Sequence, residues 1–342
     1  MKTRLNLLLG CLLGGAVGDA LGLPAEGLSR RRIARLWDGE WHHRLIFGKG
    51  MFSDDTEHAL MTALSLIEHR ADSEAFAGDL ARRLRWWFSA LPAGTGMATA
   101  KSIIRLWFGV SPKFSGVRSA GNGPAMRSAI IGAALAAEPE KRHEYALASC
   151  RLTHCDPRAD EAALLVADAA AMAVGGLATD EVLSKLANDV VSDEMKGHWS
   201  HLCVSLKQGA CVQEFVTTIG CSNAVSGFAP NTVATVLYTW LRHRGDFRTA
   251  MKEALNCGGD VDTIGAILGG IMGAEGGEDC IPVEWLDGIC DWPRSLSYLR
   301  RVSEGLSTGC VPRLFWPAIP ARNLVFLLVA LAHGFRRLLP PY

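Results

Sequence analysis

Apolar residues recur at intervals of three and four along most of the chain, and that spacing predicts one helix after another. It runs through Glu57–Glu68, Glu74–Trp87, Ala98–Phe108, Ala125–Ala136 and Glu140–Cys150. It continues through Ala159–Val174, Asp180–Val190, Val233–Arg242, Phe247–Leu255 and Thr263–Gly273. Several helix ends are marked by their chemistry. Asp72 and Ser73 precede one start, Asp156-Pro157 puts proline into a first turn, and Thr179-Asp180-Glu181 opens another helix with acids. Gly175-Gly176 closes the helix before that one. Alternating β-branched runs between turns are nearly absent, so the predicted fold is all-α.

The two ends need separate treatment. Met1-Lys2-Thr3-Arg4 followed by Leu5 to Val17 has the look of a signal peptide, and Leu8-Leu9-Gly10-Cys11 that of a lipoprotein cleavage site. Against this, Gly10, Gly14, Gly15 and Gly18 recur at helical spacing and permit close packing. They predict a buried first helix, with Asp19 falling where it opens into a loop. Near the other end, Leu324 to Ala332 is apolar but bracketed by Arg322 and His333. It is shorter than the ~20 residues of a membrane span, and predicts a terminal core helix. No repeat or linker interrupts the chain, so one domain is expected over 1–342, with 301–342 as a C-terminal helical extension.

Composition narrows the class. Of 342 residues, 49% are apolar and 20% charged, with no formal net charge. This suits a globular protein with a large core and argues against a dedicated nucleic-acid or membrane-surface binder. Arg30-Arg31-Arg32 is short enough to be a solvated helix end. The ten cysteines form no C-x-x-C pair, which predicts reduced, mostly buried thiols and a cytoplasmic location.

Two acidic clusters carry the candidate chemistry. One is Phe52-Ser53-Asp54-Asp55-Thr56, and the other is Gly258-Gly259-Asp260-Val261-Asp262-Thr263. Each could merely cap a helix, but adjacent carboxylates repel unless a cation separates them. All the donors are hard oxygens, which suit Mg²⁺ or Mn²⁺ rather than zinc or copper. Glu26, just beyond Pro24, is either a solvated loop acid or a carboxylate held near the metals. Ser119 to Arg127 contains Gly121-Asn122-Gly123 before a helix, a turn or a diphosphate cradle. His154 is either structural or a ligand contact.

Together these pieces resemble the ADP-ribosylglycohydrolase family. The matching motifs are Gly14 to Gly22 with Glu26, Phe52 to Thr56, Gly121 to Arg127, Thr153-His154, and Gly259 to Gly265, spanning roughly 8–275. The resemblance implies an all-α hydrolase with two Mg²⁺ or Mn²⁺ ions at the base of an ADP-ribose cleft. It implies cleavage of the bond between ADP-ribose and a modified protein side chain, most often arginine. Ser53, Asp54 and Asp55 would ligate one ion, and Asp260 and Thr263 the other, with Asp262 bridging and Glu26 alongside. Glu26 or Asp55 would take a proton from the attacking water. Gly121, Asn122 and Gly123 would hold the diphosphate, and His154 would lie near the distal ribose or phosphate. Ser53 stands where the family commonly has threonine. The Gly94-Thr95-Gly96 loop lacks an aspartate that some arginine-directed members carry there, which leaves serine, nucleic-acid or small-molecule conjugates as alternative acceptors. A non-catalytic ADP-ribose binder is a further alternative. A regulatory cycle and immunity to an ADP-ribosylating toxin are equally compatible with the motifs.

Overall fold

Two glycine-rich helices, Arg4–Gly22 and Val261–Gly276, lie antiparallel at the centre of the computed structural model, which describes residues 2–37 and 39–339. A Cβ on Gly10, Gly14 or Gly18 would fall 2.3, 2.2 or 2.0 Å from the carbonyl oxygen of Gly273, Gly269 or Gly265. The contact is therefore backbone on backbone, and only glycine fits. One turn further on, a Cβ at Gly22 would lie 2.5 Å from the Cα of Asp262. The same contact thus ends at the second acidic cluster.

Helices Asp54–Glu68, Ala129–Ala134 and Leu296–Thr308 pack on the first of the pair. Helices Pro157–Val174, Ala229–Arg242 and Phe247–Leu255 pack on the second. One hydrophobic core runs from Leu8 to Leu306. Among the described residues there are no strands, only isolated β-bridges between loops. The all-α expectation agrees with this.

Most of the predicted helices form, usually extended at a start by a cap; Ala125–Ala136 instead divides into a 3₁₀ turn, Ala125–Arg127, and the helix Ala129–Ala134, and Asp180–Val190 is α-helical only to Leu186. Ser53 opens Asp54–Glu68, Asp72 opens Ser73–Ser89 and Asp156 opens Pro157–Val174, each accepting a backbone N–H. The helices Arg30–Leu36, Asp193–Gln208, Val212–Thr218, Val283–Asp287 and Leu296–Thr308 lie beyond the predicted set. Asp19 does not sit at a helix end: it lies inside Arg4–Gly22 and is fully buried. Its carboxylate has hydrogen-bond partners on another helix, so the helix need not end there.

The last helix, Ala318–Arg336, is also not a core helix. Its polar residues face inward. Arg322 pairs with Asp291 and Glu57, the Asn323 amide donates to the Ala90 carbonyl at 2.8 Å, and the His333 ring meets the Pro24 carbonyl at 3.0 Å. Leu324, Val325 and Leu328 face outward. All ten cysteines are unpaired thiols.

Gly269→Ala is expected to lower unfolding free energy by about 1–3 kcal/mol, because the added methyl has no space. Gly78→Ala, on the exposed face of the helix Ser73–Ser89 with nothing within 4 Å of its Cβ position, should raise it by about 0.5–1 kcal/mol. Urea titration of both variants checks the sign reversal.

Candidate active site

The first cluster is held in place by Asp19. Its carboxylate accepts the backbone N–H of Ser53 at 3.0 Å, the N–H of Thr56 at 3.1 Å and the Thr56 hydroxyl at 2.5 Å. Burial pushes the Asp19 carboxyl up to about 6, although those hydrogen bonds pull the other way. The first turn of Asp54–Glu68 is thereby fixed to the central helix. Ser53 accepts the Asp55 N–H and donates its hydroxyl to Asp55 Oδ2, both at 3.1 Å. The Thr263 hydroxyl donates to the same oxygen at 3.2 Å. The two clusters therefore touch.

The second cluster depends on a turn that needs positive φ. Gly258 and Gly259 have φ of +73° and +89°, and a Cβ on Gly259 would lie 2.0 Å from the Val225 carbonyl oxygen. The Asp260 N–H donates to that oxygen at 2.9 Å, and the Gly27 N–H donates to the Gly259 carbonyl at 2.7 Å. This stitching gathers Glu26, Asp260 and Asp262, which offer carboxylate oxygens within 4.8 Å of one another. The Asn122 amide donates to Asp260 Oδ2 at 2.6 Å and to the Thr232 hydroxyl at 3.1 Å.

Through Asn122 the acids meet the glycine loop. Its Asn122 N–H donates to the Gly227 carbonyl at 3.0 Å. Cβ atoms on Gly121 or Gly123 would come within 3.1 Å of the His154 ring, so glycine lets the ring close against the loop. Arg127 supports both. It is fully buried and donates to the Gly123 carbonyl at 2.9 Å, the Ser149 carbonyl at 2.8 Å and the Thr153 hydroxyl at 2.7 Å. Burial lowers the Arg127 pKa to about 10. His154 Nδ1 lies 2.9 Å from the Thr153 hydroxyl, and burial followed by Arg127 lowers its pKa to about 3, so the ring is neutral.

These elements enclose a cleft of about 590 Å³. Its lining includes Glu26, Asp54, Asp55, Asp260, Asp262 and Thr263 together with Gly121, Asn122, Gly123 and His154. Ser53 is the exception: it lies behind the lining, bonded to Asp55. Gly94, Gly96 and Thr99 form part of the rim.

The electrostatics fit a cation. Burial first, then neighbouring acids, raises Asp54, Asp55 and Asp262 well above the usual carboxylate range. Glu26 keeps an exposed side chain, yet local crowding and then Asp260 raise it too. Asp55 Oδ1 and Asp262 Oδ1 are buried with no hydrogen-bond partner. Unpartnered carboxylate oxygens facing like charges call for a hard divalent ion. Glu57, on the next face of the same helix, shows the contrast: it is buried but paired with Arg294 and Arg322.

Three contributors were not foreseen as site residues. Asp19 could have been noticed as an acid within an apolar helix. Arg127 stood in a quoted motif, without a carboxylate partner to mark it. The loop Val225–Gly227, which completes the cleft, has no periodic signal at all.

The sequence profile of the ADP-ribosylglycohydrolase family matches residues 1–310. The ADP-ribosyl-[dinitrogen reductase] glycohydrolase of Rhodospirillum rubrum is 29% identical over 81% of this chain and 88% of its own. The ADP-ribosylhydrolase ARH3 of Xenopus tropicalis is 29% identical over 83% of this chain and 91% of its own. A solved structure titled ADP-ribosylglycohydrolase-related protein complex superposes with a TM-score of 0.66 at 29% identity, over 90% of this chain and 99% of that one.

The raised carboxyls give a stability test. In the folded, metal-free protein they hold protons that an unfolded chain releases near pH ~4. Stability therefore falls as pH rises through their folded values, and a cation that replaces those protons contributes more at high pH. Saturating Mg²⁺ or Mn²⁺, about a hundredfold above Kd, should raise Tm by about 4 °C near pH 8. The gain should shrink near pH 5.5, and Asp262→Asn should largely remove it. Differential scanning fluorimetry with and without cation reads this directly.

Proposed function

The chain belongs to the ADP-ribosylglycohydrolase family, and from that premise we propose that it removes ADP-ribose from a modified protein by metal-dependent cleavage of the N-glycosidic bond to arginine. The observation that carries this reading is the pair of unpartnered oxygens, Asp55 Oδ1 and Asp262 Oδ1, beneath a glycine loop that can receive a diphosphate. The R. rubrum relative, by its name, acts on a protein conjugate.

In this reading Ser53, Asp54, Asp55, Asp260, Asp262 and Thr263 hold two Mg²⁺ or Mn²⁺ ions. Ser53 contributes least, since its hydroxyl is engaged with Asp55. When bound, the ions supply Lewis-acid orientation of the ribose and water activation. Water bonds to the anomeric carbon as the bond to the acceptor nitrogen breaks. The water proton passes to Glu26, with Asp55 as the other candidate base, and the departing nitrogen takes up a proton from that carboxyl or from solvent, which restores the base. Glu26 suits the task because its carboxyl is raised and exposed to the cleft. Gly121 and Gly123 offer backbone N–H groups to the diphosphate, Asn122 steadies Asp260, and neutral His154 faces the distal ribose or phosphate.

A second reading concerns the acceptor. The rim at Gly94 and Gly96 presents no carboxylate to a guanidinium. That favours testing serine, nucleic-acid and small-molecule conjugates beside arginine. The ten unpaired cysteines support a cytoplasmic location. The continuous core supports one domain over 1–342 with an extension from 301.

Free ADP-ribose should appear from arginine-ADP-ribosylated protein with Mg²⁺ or Mn²⁺ and not with chelator. Glu26→Gln should lower kcat by about 10²–10⁴-fold while leaving ADP-ribose affinity nearly unchanged by calorimetry. Full turnover in that variant would remove Glu26 as the base. Release in chelator would remove the metals. Release from serine conjugates alone would transfer the assignment to the second reading.

A further inference from the structure

The helix Ala318–Arg336 lies outside residues 1–310, the extent of the family match, and it is turned inside out. Arg322, Asn323 and His333 point into the protein, each with partners there. Leu324, Val325, Leu327, Leu328, Leu331 and Phe335 point to solvent. Between Pro317 and Phe335 the exposed positions carry no polar side chain. A solvent-facing helix ordinarily shows the reverse pattern.

Two more observations border this face. Among the described residues, Phe47 and Leu91 are the only non-glycine positions with positive φ, at +46° and +53°. Phe47 is 100% exposed and Leu91 80% exposed. Both adjoin the helix. Phe47 sits on the turn whose flanking Leu45 and Met51 pack with Phe326, and Leu91 follows Ala90, whose carbonyl accepts the Asn323 amide. Bulky side chains in the left-handed region are unfavourable. Here that conformation presents apolar groups to solvent.

We propose that this face is a docking surface for an anionic lipid membrane, with the helix lying flat on the bilayer. Charge complementarity selects that occupant. After Glu304 the chain contains no Asp or Glu, and the exposed Arg313 and Arg336 lie before and at the end of the helix, while Arg322 is turned inward to Asp291 and Glu57. Arg313, Phe315 and Trp316 precede the helix and Arg336 closes it, the aromatic and basic flanks that suit the headgroup region. A protein partner would ordinarily meet some hydrogen-bonding groups, about one bond per 100–200 Å² of interface, and the outward face has none. The helix does not span: its inward polar residues are bonded to the fold, and one long side is covered by it.

The full-length protein should co-float with vesicles of phosphatidylcholine and phosphatidylglycerol, and far less with phosphatidylcholine alone. Leu324→Glu combined with Leu328→Glu should cut partitioning at least tenfold while the cation-induced rise in Tm persists. Phe47→Gly combined with Leu91→Gly should weaken partitioning several-fold while Tm stays level or rises, because glycine relieves the positive φ. That opposition separates a docking role from a structural one. Wild-type protein that stays with the lipid-free fractions overturns the proposal, as does equal flotation of the Leu324/Leu328 variant. A dimer by light scattering that this variant abolishes, without vesicle binding, assigns the face to a second copy and overturns it too.

Discussion

Glycine carbonyls of Val261–Gly276 occupy the space where Cβ atoms of any larger residue on Arg4–Gly22 would lie. That steric exclusion sets both the spacing and the register of the central pair. Register matters because Asp19 follows Gly18 and Asp262 lies one turn before Gly265. Asp19 then grips the amides of Ser53 and Thr56, which places Asp54 and Asp55, and Thr263 reaches back to Asp55. The arrangement closes on itself: central helices, anchoring acid, first cluster, second cluster, central helices.

Charge is distributed with a clear contrast along one helix. Asp54 and Asp55 face the cleft among other acids, and Asp55 keeps an oxygen without a partner. Glu57, on the next face and outside the cleft lining, has two arginines. An unpaired carboxylate costs folding free energy in proportion to its burial, while a paired one is largely compensated. The protein has arginines available and directs them behind the first turn instead of into the cleft. Arg127, behind the glycine loop, donates to carbonyls and hydroxyls and not to the acids.

Periodicity revealed the helices because each buries a stripe, and stripe spacing is a local property. The glycines at every fourth position were legible for the same reason. The clusters Ser53–Asp55 and Asp260–Thr263 were visible as dense hard donors, and the family resemblance joined them. Asp19 was misplaced because its partners lie on another helix, and no neighbour in sequence announces them. The loop Val225–Gly227 is held by backbone bridges to Gly259 and Asn122, which side-chain patterns cannot encode. The terminal helix was read as core because an apolar run looks alike whether it faces protein or its surroundings. The signal was present in Arg322, Asn323 and His333, which share one helical face.

The central pair also sets a schedule for synthesis. The helix Arg4–Gly22 leaves the ribosome well before Val261–Gly276, the helix its glycines fit against. At about 5–20 residues per second, the interval between Gly22 and Val261 lasts roughly 10–50 s. For that time the nascent chain carries an apolar helix whose glycine face lacks its partner, with a composition that targeting factors and chaperones also bind. The glycine contact that later makes the molecule rigid thus leaves it, early in its life, most dependent on whatever holds that helix apart from other chains.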